Sequence, residues 1–411
     1  MSETRELEIG RLGAQGDGVA DGPQGPIYVR YALPGERVRA EVAGERGRVL
    51  QVLRPGPDRA TPICRHFGAC GGCAAQHMGA SLYRSWKEES VRAAFAHRGL
   101  AVETAPMLVI PPGTRRRAVL GITRDEQGIR LGFREEGAHT LVDIEVCPVL
   151  QPAIAQALPV LRKLAAAALR ERGDGRMTVT ATPPGLDVAL DGETLVAGAK
   201  AAAELAGLAC GRSIARLMLN GELIALHATP TLAFEGVGVA LPAGAFVQAV
   251  PEAEAIMTDL VVAAAGRAKH VADLFCGLGT FTFPLARKAK VLAVDGDRAA
   301  VAALKEAALR AQGLKAVETK VRDLSREPLS RTELGPFDAV VFDPPRAGAK
   351  AQAEALARSK VPVVIAVSCN PATLARDARI LVDGGYRIKR VSPIDQFVFS
   401  AQVEAVAVFR K

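Results

Sequence analysis

Cys369 ends the apolar run VPVVIAVS and stands just before Asn370-Pro371. Open α/β sheets carry their sites at the carboxyl ends of strands, so a thiol there is placed as a nucleophile. A free cysteine is otherwise a small buried hydrophobe, and the position needs supporting groups. Asp343-Pro344-Pro345-Arg346 ends the preceding run DAVVFD, where two prolines stiffen a turn that can present a carboxylate and backbone carbonyls into the same crevice. Glu404 sits among alanines and valines in QVEAVAVF. A carboxylate there is costly to bury unpaired, so it either faces solvent by strand alternation or serves chemistry.

A second constellation is Asp273-Leu-Phe-Cys-Gly277-Leu-Gly279-Thr-Phe-Thr282, between an apolar run and a helical one. A tight strand-to-helix turn uses glycine at positive φ and aims backbone amides at a ligand. A dinucleotide fingerprint would carry a third glycine at position 282, where this chain has Thr282, so a pyrophosphate is disfavoured. Asp295 closes the next strand, VLAVDGD, and can accept from both hydroxyls of a ribose. A nucleoside without pyrophosphate fits, and S-adenosylmethionine answers that description; a purely structural turn is the competing reading. Asp323, ending VETKVRD, suits an adenine edge or an ordinary strand-end turn.

Cys64, Cys70 and Cys73 form C-x5-C-x2-C amid GACGGC, where glycines let backbone amides approach sulfur. With a fourth soft ligand they could hold an iron–sulfur cluster or zinc, and spacing does not choose. His66 and His77 flank the motif as loop histidines, and Cys210 and Cys276 read as small packing residues.

The elements that must position these groups follow from pattern. The first fifty-odd residues alternate short β-type runs with glycine turns, the pattern of a small barrel. Its arginines Arg30, Arg37 and Arg39 suit an oligonucleotide-binding barrel, and an accessory β module is the alternative. Composition shifts near Pro57. A helix is expected from about Ser81 to His97, strands over 112–149, and helices over about 150–172 and 198–208. Arg115, Arg116, Arg117, Arg124, Arg130 and Arg134 make a cationic stripe, either a phosphate track or a solvated face. After Gly238 strands alternate with helices, to about Lys288, then 298–312, 350–358 and 371–383, which predicts a parallel sheet with helices on both faces. The last two strands are joined by a loop, and the final one is expected to pair antiparallel.

Composition bounds the rest. The chain has 411 residues, 49% of them hydrophobic, enough for two or three packed domains and incompatible with wholesale disorder. No run is long and apolar enough for a membrane span, and the start MSETRELEIG lacks a signal-peptide core, so a cytoplasmic protein is expected. Seven cysteines in that compartment point to metal or catalysis, away from a disulfide scaffold. Fifty-two Lys and Arg against 44 Asp and Glu give a net charge of +8, which favours a polyanionic partner. Aromatic residues are only 4%, so base stacking would depend on few rings.

Together ADLFCGLGTFTFPLA, FDPPRAGA, SCNPATLARD and the closing DQF with VEAVAVF resemble the RNA uracil-5 methyltransferases. The likeness to the iron–sulfur-containing bacterial ribosomal branch is close. It extends over nearly the whole chain, since Gly132-Phe-Arg134 leading into VDIEVCPVL also fits, and the N-terminal segment is similar to a TRAM domain. The resemblance implies a three-part α/β protein: a small OB/TRAM-like β-barrel over 1–57, a central α+β iron–sulfur, RNA-contacting domain over 58–237, and a Rossmann-like S-adenosylmethionine-dependent methyltransferase domain over 238–411. It also implies that residues 82–105 pack with the catalytic domain.

The implied activity is methylation of uridine carbon 5 in RNA, with 23S rRNA as the expected substrate, no membrane, and a monomer. Carbon 5 of uracil is too poor a nucleophile to attack a sulfonium methyl. Thiolate addition at carbon 6 makes it an enolate, and Cys369 would be that thiolate. Glu404 would then remove the carbon-5 proton. Gln248, Phe275, Gly277, Thr280, Asp295, Asp323 and Asp343 are implied around cofactor and base. Cys147 would join Cys64, Cys70 and Cys73 around a [4Fe–4S] cluster, which the family favours over zinc. The chain departs from the family at Gln402, where His is frequent, and at Val250 and Thr280, where Asn is common. The rival readings are a tRNA uracil-5 methyltransferase, a cytosine-5 enzyme (whose Pro-Cys dipeptide is here Ser368-Cys369), and a catalytically inactive RNA-binding iron–sulfur protein.

Overall fold

The computed structural model describes residues 2–411 apart from 136, 197 and 212. Residues 3–54 form a six-stranded sheet with its own core of Ile9, Ile27, Val29, Val38 and Val42, in the stretch where a small barrel is expected. The strand Arg37–Ala43 shows how pattern makes this layer: Val38, Ala40 and Val42 point inward while the intervening arginines and glutamate stay in water.

The middle of the chain builds a seven-stranded sheet between residues 117 and 226, packed against the helices Pro152–Ala168 and Ala199–Ala209. The hairpin Thr231–Phe234 with Val237–Ala240 leads from it into the last part.

The third sheet carries seven strands: β1 His270–Leu274, β2 Lys290–Asp295, β3 Val317–Val321, β4 Ala339–Phe342, β5 Val363–Ser368, β6 Arg387–Ile394 and β7 Glu404–Arg410. Their spatial order is β3-β2-β1-β4-β5-β7-β6, and β7 runs against its neighbours while the rest are mutually parallel. Strands β4 and β5 are buried along their whole length, which is why they read as unbroken apolar runs. Helices Lys350–Ala357 and Pro371–Asp383 cover one face and helix Pro251–Ala265 the other. Val91 and Phe95 of helix Ala80–Ala96 enter the same core as β4 and β5.

Two local expectations change. The helix expected to reach Lys288 is a short one, Thr282–Ala286, all of it buried. Pattern reading also passes over helix Pro251–Ala265, whose run of apolar residues lacks a clear polar face. No helix among the described residues is long and apolar enough to cross a membrane.

Candidate functional site

The site lies at the carboxyl edge of the third sheet. The turn after β1 holds Phe275 at φ +59, Gly277 at +51 and Gly279 at +97. A Cβ on Gly279 would lie 2.6 Å from the Phe283 ring, whereas one on Gly277 would meet nothing within 4 Å. Gly279 therefore serves packing, and Gly277 keeps an open face of the turn. The Asp295 carboxylate at the end of β2 accepts from the Gly277 amide at 2.8 Å and from the Asp297 amide at 2.8 Å, tying the two turns together. Asp323, two residues past β3, is exposed and accepts from the Ser325 amide at 3.0 Å. Its backbone passes beside Gly296, next to Asp295. Thr280 is half-buried in the same turn as Gly277. Beneath the turn, Asp273 is fully buried, accepts from the Thr282 hydroxyl at 2.6 Å, and is pushed up to about 7 by burial.

Asp343 follows β4, and Gln248, on the segment leading into helix Pro251–Ala265, reaches it: Gln248 Nε2 donates to Asp343 Oδ2 at 2.8 Å. Burial raises the Asp343 carboxyl to about 7. Arg116 fixes that segment from behind, donating to the Gln248 carbonyl at 2.9 Å and to Glu254 at 2.6 Å while itself buried.

Cys369 follows β5 directly. Asn370 caps helix Pro371–Asp383 by accepting from the Ala372 amide at 3.1 Å, and Pro371 opens the helix, so the sequence Cys-Asn-Pro forces the chain to turn from strand to helix at the thiol. In register, Ser368 of β5 faces Ala405 of β7. The next residue outward on each strand is Cys369 on one and Glu404 on the other. Glu404 lies at the amino end of β7, which reaches the carboxyl edge of the parallel strands because β7 is antiparallel. Burial pushes the Cys369 thiol up, the Glu404 and Asp343 charges add to this, and Arg346 opposes them by charge and a hydrogen bond. Burial also raises Glu404 well above the ordinary carboxylate range, with Asp343 reinforcing it. An open groove of about 640 Å³ runs past Cys369 and Arg346 between Gln15 of the N-terminal sheet and Trp86.

Cys64, Cys70, Cys73 and Cys147 line one cavity of about 260 Å³ with Phe133 and Ile144 in its wall. Among the described residues no three His, Cys, Asp or Glu side chains stand close enough to hold a single metal ion. The Gly72 amide approaches Cys70 Sγ at 3.4 Å, and burial pushes the Cys73 thiol up to about 12.

Several expectations about surrounding residues need correcting. Part of the arginine stripe is taken up by the fold: Arg116 is buried as described, Arg124 donates to the Ala166 and Leu169 carbonyls at a helix end, and Arg130 pairs with Asp125, while Arg134 is exposed. His77 sits in a turn, as expected, but is buried against Tyr31 and Phe67, and Cys210, expected to pack, is exposed at a helix end. Val250 lies in the core at the start of helix Pro251–Ala265, so that departure falls on a packing position. Gln402 lines both the thiol cavity and the groove at Cys369.

Three contributors escaped sequence reading. Arg346 was visible as part of Asp-Pro-Pro-Arg, yet only proximity gives it a task. Gln396 joins Glu404 to Gln248, donating to both. Lys87 anchors the loop before Glu404. No local signal marks the last two.

Residues 237–411 match the family model described as tRNA (uracil-5-)-methyltransferase. The chain is 48% identical to an uncharacterized RNA methyltransferase of Brucella suis, covering 100% of this chain and 99% of the relative. It is 37% identical to a 23S rRNA (uracil-C5)-methyltransferase of Chromohalobacter salexigens, covering 98% and 89%. The crystal structure of the Pyrococcus abyssi tRNA (uracil-54, C5)-methyltransferase superposes with a TM-score of 0.75 at 24% identity, covering 98% of this chain and 100% of that one, which shows a shared fold.

Proposed function

Because this chain belongs to the RNA uracil-5 methyltransferase family, we propose that its substrate is 23S rRNA, at the uridine that the Chromohalobacter relative's name gives as 1939, and that it works in the cytoplasm. The observation that carries the chemistry is the meeting of Cys369 and Glu404 one step beyond the Ser368–Ala405 pair, with Asp343 beside them.

S-adenosylmethionine, when bound, supplies the electrophilic methyl group. Phe275, Gly277 and Thr280 would line its amino-acid end, Asp295 its ribose and Asp323 its adenine, with Gln248 and Asp343 between cofactor and base. The open face at Gly277 and the paired carboxylates at adjacent strand ends suit such a ligand. Cys369 adds to carbon 6 of the flipped uracil. Its thiol is held up by burial and two carboxylates, so it must lose its proton during attack, with Arg346 stabilising the thiolate as it forms. Asp343, neutral or ionised near pH 7, can accept from or donate to the base edge. Once carbon 5 carries the methyl group, Glu404 takes its proton and Cys369 leaves. A carboxylate raised by burial is a strong base when it accepts that proton.

Cys64, Cys70, Cys73 and Cys147 would hold a [4Fe–4S] cluster. The presence of all four thiols in the wall of one cavity supports this reading. The cluster would cross-link the segment 64–73 to the strand region before Cys147.

Mass-spectrometric mapping of 5-methyluridine in ribosomal and transfer RNA, from cells with and without this gene, tests the substrate. Loss confined to 23S rRNA is expected; loss confined to tRNA would replace this reading with the transfer-RNA one.

A further inference from the structure

Gln396 lies two residues past β6 and is 2% exposed. Its single amide nitrogen donates twice, to Glu404 Oε2 at 2.8 Å and to Gln248 Oε1 at 2.9 Å. Since Gln248 donates onward to Asp343, one line of side chains runs Glu404–Gln396–Gln248–Asp343 from the start of β7 to the end of β4. Two acceptors consume both amide hydrogens and so fix which way the Gln396 amide faces. Glu404 Oε1 is left buried with no partner.

From this geometry we infer that Gln396 is a positioning residue for the proton-removal step: it occupies Glu404 Oε2 and leaves Oε1 as the atom that takes the carbon-5 proton. The inference deepens the reaction proposed above and rests on it. In that step the proton moves from carbon 5 to Oε1, and the C5–H pair becomes the C5=C6 double bond. The C6–S bond breaks, its pair remaining on Cys369 as thiolate. No oxidant or further reactant enters. Gln396 also favours the ionised form of Glu404 against burial and the Asp343 charge.

The test is single-turnover methylation of an rRNA fragment by Gln396→Met, reading adduct formation and adduct release separately, beside Glu404→Gln and Cys369→Ala. Methionine fills the space and removes both donors. Adduct formation should stay within a few-fold of wild type, while release slows about tenfold or more, the scale of one hydrogen bond to a charged group. Release needs ionised Glu404, whose charged or titratable neighbours are Asp343 and Cys369, so its half-maximal pH should move upward. Gln396→His, which keeps one N–H donor, should release faster than the methionine variant. Unchanged release and pH profile in Gln396→Met, beside a trapped Glu404→Gln adduct, would sink this inference alone. Equal slowing of formation and release, or histidine no better than methionine, would assign Gln396 to packing and overturn it as well. Absence of any adduct in Glu404→Gln would take down the reaction and this inference together.

Discussion

Lys87 and Asp395 form an ion pair with both side chains withdrawn from solvent, and Lys87 also donates to the carbonyls of Phe397 at 2.9 Å and Gln402 at 3.1 Å. Tyr83, one turn away, donates to the other Asp395 oxygen at 2.8 Å. Helix Ala80–Ala96 thus grips the loop that delivers Gln396 and Glu404, while the Ala74 and Ala75 amides hold the same loop through the Phe399 carbonyl. Burial pulls Lys87 below its ordinary range, against the pull of Asp395. Lys87→Met leaves Asp395 as an unpaired buried carboxylate and should cost about 3–5 kcal/mol in urea unfolding; a loss within measurement error would mean the pair is hydrated in solution.

Cys369→Ala removes the only sulfur at the carboxyl end of β5. Methyl transfer should vanish while S-adenosylmethionine still binds by calorimetry. Glu404→Gln, which acts later, should instead accumulate an RNA–protein adduct visible on a denaturing gel. Turnover surviving in the alanine variant would remove the nucleophile assignment.

The two glycines of the β1 turn should separate in their effects. Gly279→Ala meets the Phe283 ring at a left-handed φ and should lower stability by roughly 1–3 kcal/mol along with cofactor affinity. Gly277→Leu carries the left-handed φ strain alone, with no atom within 4 Å of its Cβ, so it should cost less stability than Gly279→Ala and act mainly on S-adenosylmethionine binding measured by calorimetry. Equal melting losses for both would contradict the division of labour between them.

Asp273 titrates at about 7 in the folded protein against 3.8 ordinarily. Its folded carboxyl keeps a proton that the unfolded chain has lost, so the stability it contributes is full below pH 3.8 and declines as pH rises toward 7. Asp273→Asn cannot titrate and can still accept from Thr282. Its melting temperature should gain on wild type steadily across that window. A difference that stays flat with pH would place the proton elsewhere.

Anaerobically purified protein should be brown and carry about four irons per chain. Cys73→Ser should lose most of that iron and its visible absorption. Stoichiometric zinc in the wild-type protein would replace the cluster.

Local sequence determines much of this protein. Periodicity announces the strands and helices of the third sheet, and punctuation by Gly, Asn and Pro announces where each strand must turn. Cys369, Asp343, Asp295 and the glycine loop were therefore legible as strand-end residues. The fate of the arginine stripe was not legible, because charge density says nothing about whether a guanidinium finds acceptors inside the fold, as Arg116 and Arg124 do. Strand order was not legible either. Insertion of β7 between β5 and β6 is what sets Glu404 beside Cys369, and periodicity encodes which face of a strand is buried, not which strand lies next to it. Gln396 and Gln248, 148 residues apart, meet only after that order is chosen, and so do Lys87 and Asp395. Composition and pattern chose the elements; packing of distant segments alone decided which polar side chains would have to satisfy one another once water was gone.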